Sequence, residues 1–174
     1  MPKEPLTVKE QDILLSTAKK YGPYRYDAHG HETGLAVDPY QAIAFMLDTG
    51  VHPSVLAEEK YQLHTVKQGP NIRIRWFRPK KKQTDAFTQI RASKRIKAWV
   101  EEFVTQEMPR FRQFYNSMLR RISGDIKKPS RGLKQVNMSP FALRHTFAVN
   151  RLNAGISTVV VQQLMNCSRK TLDY

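Results

Sequence analysis

Arg144 and His145 are the residues whose type and setting best suit them to chemistry. They lie about two turns or less into a predicted helix, within the apolar and small-residue run FALRHTFAVNRLNAG. A cation so near a helix N-terminus is mildly disfavoured by the helix dipole unless an anion is also there. A phosphate would satisfy both the unpaired N–H groups of the first turn and the guanidinium fork. The competing reading is structural: Arg144 pairs with an acid and pins two helices together.

Further cationic groups precede this pair. Arg73 and Arg75 alternate with Ile72, Ile74 and Trp76, the period of a strand with one basic face. Lys80, Lys81 and Lys82 follow in a predicted turn, where they are either phosphate contacts or a solvated charged tip. Trp76, Phe77, Phe111, Phe114 and Tyr115 lie among basic residues, as in single-strand binders, but their spacing favours core packing. His29-Gly30-His31-Glu32 has the residue types of a metal site; without further ligand groups it reads as a polar loop. Cys167 is the only cysteine, so neither an internal disulfide nor a cysteine-built zinc site is available. No metal and no cofactor is expected.

The whole chain is basic. It has 174 residues, enough for one domain with a hydrophobic core. Lysine and arginine total 29 against 15 acids, a net charge of +14. Such a domain attracts polyanions, nucleic acid first, although a ribosomal, RNA-binding or membrane-surface protein would share the charge. From Lys67 to Lys97 there are eleven basic residues and one acid, Asp85; from Arg110 to Lys134 there are eight and one acid, Asp125. That asymmetry points to one face or groove that meets phosphate. No apolar run reaches the ~18 residues of a membrane span, and MPKEPLTVKEQD lacks an apolar signal core, so a cytoplasmic, nucleoid-associated protein is expected.

The elements that must position these groups are mainly helical. Thr7-Val8-Lys9-Glu10 predicts a capping box; the helix carries Leu14, Leu15 and Ala18 and is expected to stop at Gly22. Residues 22–37 read as a polar loop. Asp38-Pro39 starts a helix, YQAIAFMLDT, apolar on most faces and therefore central, which Gly50 ends. A short helix over SVLAEE follows Pro53. The strand at 72–76 pairs with AFTQI at 86–90 as a hairpin. Ile96, Trp99, Val100, Phe103 and Val104 then mark an amphipathic helix, and Pro109 opens another. After a basic loop, GDIKKPSRGLKQVN, Ser139-Pro140 starts the helix bearing Arg144, which ends at Gly155; Ser157 caps TVVVQQLM. The fold class is mainly α with a small antiparallel β-sheet (α+β).

Residues 139–174, SPFALRHTFAVNRLNAGISTVVVQQLMNCSRKTLDY, resemble the C-terminal signature of the tyrosine recombinases, the phage-integrase family. LRHTFA, the AGI step, the VVVQQLM helix and the SRKT stretch follow in family order. PLTVKEQDILLSTA resembles the start of that family's catalytic domain, DTGVHPSVLAEE its first arginine box, and the lysine-bearing hairpin the segment of its catalytic lysine. The resemblance implies a mainly helical catalytic domain with a three-stranded sheet. It implies site-specific recombination of double-stranded DNA, by strand cleavage and rejoining through a 3′-phosphotyrosyl link, without metal or ATP. It also implies a homo-oligomer, a tetramer on DNA. Covalent capture keeps the phosphodiester energy for rejoining, and arginines neutralise charge building on phosphorus. Arg144 takes the place of the second arginine, the phosphate clamp, and His145 that of the histidine that commonly follows it. Lys82, with Lys81 close behind, takes the place of the lysine that protonates the leaving 5′ oxygen. Lys80, Lys81, Arg73, Arg75 and Asn166 are expected DNA contacts.

The chain departs from the family pattern at several positions. His52 stands where the first arginine is expected; it could donate to phosphate but cannot fork. Phe141 replaces the histidine three residues before Arg144 and cannot move a proton. Asn166 stands where a histidine or tryptophan usually lies and donates only from its amide. Family spacing places the nucleophilic tyrosine one position past Tyr174, so either Tyr174 is the nucleophile after a one-residue deletion or the chain stops just before it. The expectation is one catalytic domain over residues 1–174, without the family's N-terminal DNA-clamping domain. The alternative is a catalytically degenerate recombinase-like domain that only binds DNA.

Overall fold

A computed structural model of the chain describes residues 5–26, 31–51, 54–55, 61–77, 87–103, 111–125 and 139–165. Helix α1, Val8–Ala18, opens with the expected capping box: Thr7 Oγ1 accepts from the Glu10 N–H at 3.3 Å, and the Glu10 carboxylate accepts from the Thr7 N–H at 2.7 Å. Leu14, Leu15 and Ala18 are buried, but the helix ends at Ala18, before Gly22.

Residues 22–37 are not a plain loop. Strands β1, Tyr24–Tyr26, and β2, Glu32–Val37, pair antiparallel with Tyr24 opposite Val37. Both of those side chains are buried, and the Tyr24 hydroxyl meets Ser117 Oγ at 2.9 Å. Tertiary anchoring overrides the polar composition here.

Helix α2, Pro39–Thr49, starts on Asp38, whose carboxylate accepts from the Gln41 N–H at 3.2 Å. Ala42 through Leu47 are all buried, so α2 is the central helix its composition predicts. Gly50 ends it in the left-handed region at φ 61.

A three-stranded antiparallel sheet follows in the order β3 (His64–Gln68), β4 (Asn71–Phe77), β5 (Phe87–Arg91). On β4, Ile72, Ile74 and Trp76 are buried and alternate with Arg73 and Arg75, as expected. Strand β3 carries no alternating signal: its one aliphatic residue, Val66, is exposed. It forms because the turn at Gly69 (φ 57) folds it back onto β4 in register.

Helix α3, Lys97–Phe103, sets Val100 into the core and tilts Trp99 against Phe45 at 5.3 Å. Helix α4, Phe111–Asp125, buries Tyr115, Met118, Leu119 and Ile122. The Tyr115 hydroxyl donates to the Ala42 carbonyl at 3.3 Å, and burial pushes its pKa well up. Helices α5, Pro140–Asn153, and α6, Thr158–Met165, complete the described chain, and α5 packs along α2.

Ser54 and Val55 are helical, while the rest of the SVLAEE segment lies outside the described residues. The 78–86 turn, the 126–138 loop and the 166–174 segment lie outside them too. Among the described residues, no helix is long and apolar enough to cross a membrane.

Candidate functional site

Helix α5 is fixed before its arginine is placed. Ser139 Oγ caps it by accepting from the Ala142 N–H at 3.3 Å, and Pro140 opens its first turn. Thr146 is fully buried; its Oγ1 accepts from the Leu6 N–H at 2.8 Å and donates to the Ala142 carbonyl at 2.8 Å. One turn on, the Asn150 and Gln11 amides exchange hydrogen bonds at 3.0 and 3.3 Å. The buried face of α5, with Leu143 and Phe147, packs into the core.

Half-buried Arg144 therefore projects from a rigid helix. One terminal nitrogen donates to the Gly50 carbonyl at 2.5 Å, and the other donates to the Met165 carbonyl. These oxygens lie at the C-terminal ends of α2 and α6, where carbonyls lack helical partners and the dipoles are negative. The guanidinium thus ties three segments: its own helix, the chain entering the position of His52, and the chain entering that of Asn166. Its described hydrogen-bond partners are main-chain carbonyls.

His145 is also half-buried. Burial first, and then the adjacent Arg144 charge, hold its imidazole below the ordinary histidine range. The ring is neutral at pH 7 and can accept a proton. Phe141 lies one turn earlier and is 49% exposed.

The end of α2 is secured from the other side by residues without a motif. Arg151, seven residues after Arg144, donates to the Asp48 carbonyl at 3.0 Å. The Asp48 carboxylate accepts from Ser93 Oγ at 2.5 Å and is forked by Arg95, whose Nε lies at 2.8 Å. The spacing of Arg144 and Arg151, two turns apart on one helix, was the one available signal for this second carbonyl contact. A Cβ on Gly50 would stand 2.8 Å from Phe147 Cγ, so α2 and α5 meet there at a distance only glycine allows.

Arg73 and Arg75 lie on another element, the outer face of β4, and share no described hydrogen bond with Arg144. His52, Lys80, Lys81, Lys82, Asn166 and Tyr174 lie outside the described residues, as do His29 and Gly30. Among the described residues, no group of three His, Cys, Asp or Glu could hold a metal ion.

No protein-family model matches the chain, and no curated protein matches its sequence. Solved structures do. The Tn1549 transposon integrase in complex with transposon right-end DNA is 20% identical with a TM-score of 0.63, covering 99% of this chain and 61% of that one. The same integrase with a circular intermediate DNA gives 20% and 0.63, covering 100% and 63%. The XerH site-specific recombinase bound to its difH substrate, a pre-cleavage complex, is 14% identical with a TM-score of 0.60, covering 100% and 51%. The chain thus spans between 51% and 63% of the length of the chains it matches. It shares the fold of these integrase and recombinase structures: helix-rich, with a small three-stranded antiparallel sheet.

Proposed function

We propose that this chain is the catalytic domain of a tyrosine-type site-specific recombinase, which binds duplex DNA and breaks and rejoins its strands. The observation that carries the reading is Arg144, held by the Gly50 and Met165 carbonyls at the meeting of the three segments the family resemblance assigns to the site. A guanidinium fixed in this way is preorganised to take charge developing on a phosphate without reorganising during the reaction. Tyrosine oxygen attacks phosphorus, the bond to the 5′ oxygen breaks, and a 3′-phosphotyrosyl link stores the energy for rejoining. Lys82 donates the proton to the leaving oxygen, and neutral His145 helps manage the tyrosine proton. Tyr174, or the residue after it, supplies the nucleophile, while His52 and Asn166 contact the phosphate.

An additional DNA-clamping domain, and several copies on two sites, a tetramer, complete this reading. Its place is on DNA in the cytoplasm. The test is covalent capture. The full-length protein, given nicked duplex carrying the DNA that flanks its own gene, is expected to form a denaturant-resistant adduct that Arg144→Ala abolishes. An Arg144→Ala protein that forms the adduct as fast as wild type contradicts the assignment of the clamp.

Exposed Phe141, in the place of a proton-moving histidine, favours a second reading, a domain that binds DNA without cutting it. In that case cleavage appears only after His52→Arg, Phe141→His and Asn166→His are combined; adduct formation by the unmodified protein excludes it.

A further inference from the structure

The outer face of the three-stranded sheet sets like charges side by side, with no acidic partner among the described residues. Arg73 on β4 is directly opposite Arg91 on β5, with Val66 of β3 on its other side. Like charges facing each other across neighbouring strands destabilise a sheet. Among the described residues, no carboxylate pairs with either arginine; the ion pairs there are Lys67–Glu101 and Arg95–Asp48. Exposed Gln89 and Gln68 lie on the same face, and a surface hollow is lined by Val66, Lys67, Gln68, Arg73 and Gln89.

Arg75 continues the row. It sits two residues, about 7 Å, along β4 from Arg73, opposite His64 and Gln89. Its guanidinium lies over the Phe87 ring at 4.3 Å, and that ring meets Phe77 at 5.5 Å and His64 at 6.1 Å, both near edge-on. The ring takes one flat face of the guanidinium, and a guanidinium hydrogen-bonds through its edges.

We propose that this face is a second phosphate-binding surface for duplex DNA, with one backbone phosphate bridging Arg73 and Arg91 and a neighbouring one meeting Arg75. The bridging anion turns the like-charge opposition into a two-sided clamp. Polar glutamines and a hollow beside the arginines leave room for the sugar-phosphate chain. The proposal rests on the reading that the chain binds duplex DNA, and it adds Arg91 and a location on the sheet distinct from Arg144.

The test measures binding of the full chain to a fluorescent random-sequence duplex across a salt series, with thermal unfolding of each variant alongside. Each phosphate contact adds about one to the steepness of log K against log salt. Arg73→Ala/Arg91→Ala is expected to lower the slope by about one, since both grip the same phosphate, whereas Lys9→Ala on α1 leaves it unchanged. Arg91→Glu is expected to raise the unfolding temperature, by giving Arg73 an acidic neighbour, while weakening DNA binding. That opposite movement separates a binding role from a folding defect. An unchanged slope in the double variant, with duplex bound normally, overturns this surface and leaves the recombinase reading intact. A wild-type chain that fails to hold duplex at any salt overturns both. Tighter retention of RNA than of duplex DNA of equal length overturns duplex DNA as the occupant.

Discussion

Arg144 ties two elements to its own helix, and the proposed reading adds a chemical demand on the same side chain. Its fork reaches carbonyls on two different elements, and a lysine can bring its ammonium to only one such place at a time. In the proposed reading, Arg144→Lys is therefore expected to keep the charge yet lose both cleavage and ~1–2 kcal/mol of stability, read by urea unfolding beside the adduct assay. His145 gives a pH signature. Its folded-state pKa lies below the unfolded value of about 6.5, so the unfolded chain binds the proton first. The resulting stability is fully present above pH 6.5 and is lost as pH falls through the folded pKa. Unfolding midpoints from pH 8 to pH 5 are expected to fall less steeply in His145→Gln than in wild type. Arg144 and His145 stand out in the sequence because they sit in a distinctive motif. Arg151, Ser93 and Arg95 were not, because their roles arise from meeting Asp48, which is 103, 45 and 47 residues away along the chain.

The helices were legible wherever caps punctuate an apolar period. Thr7-Glu10, Asp38-Pro39 and Ser139-Pro140 all start helices at the expected places. The β1–β2 hairpin was not legible, since it depends on burying Tyr24 and Val37; a third sheet strand was implied by the resemblance, but residue pattern did not locate β3, which depends on pairing to β4. The packing of α5 against α2 carries the site, and it can be broken at defined points. Gly50→Ala puts a methyl into the Phe147 ring and strains a left-handed backbone, which should cost ~2–4 kcal/mol in chemical denaturation. Phe147→Leu in that background should recover part of the loss, from the steric component only. Thr146→Val keeps the volume of a fully buried side chain and strands the Leu6 N–H, which should cost ~1–3 kcal/mol. A Thr146→Val protein as stable as wild type would show that the tether to the N-terminal segment contributes nothing.

Viewed whole, the molecule sets an apolar core, centred on α2, beneath a surface with a net charge of +14. Its fold is shared with an integrase and a site-specific recombinase of known structure at only 14% to 20% identity. Core pattern and caps can survive such divergence, while positions 52, 141 and 166 carry residues other than those the resemblance implies. The decisive measurement replaces the charge of the cleaved phosphate. In nicked duplex carrying the DNA that flanks the protein's own gene, one set of substrates has the normal phosphate and another an uncharged methylphosphonate at the position where the proposal expects cleavage. If Arg144 neutralises charge on that phosphate, Arg144→Ala forms no adduct with the first and regains adduct formation with the second. Equal adduct yields from Arg144→Ala and wild type on the charged substrate, or no adduct from wild type on either, would contradict the account.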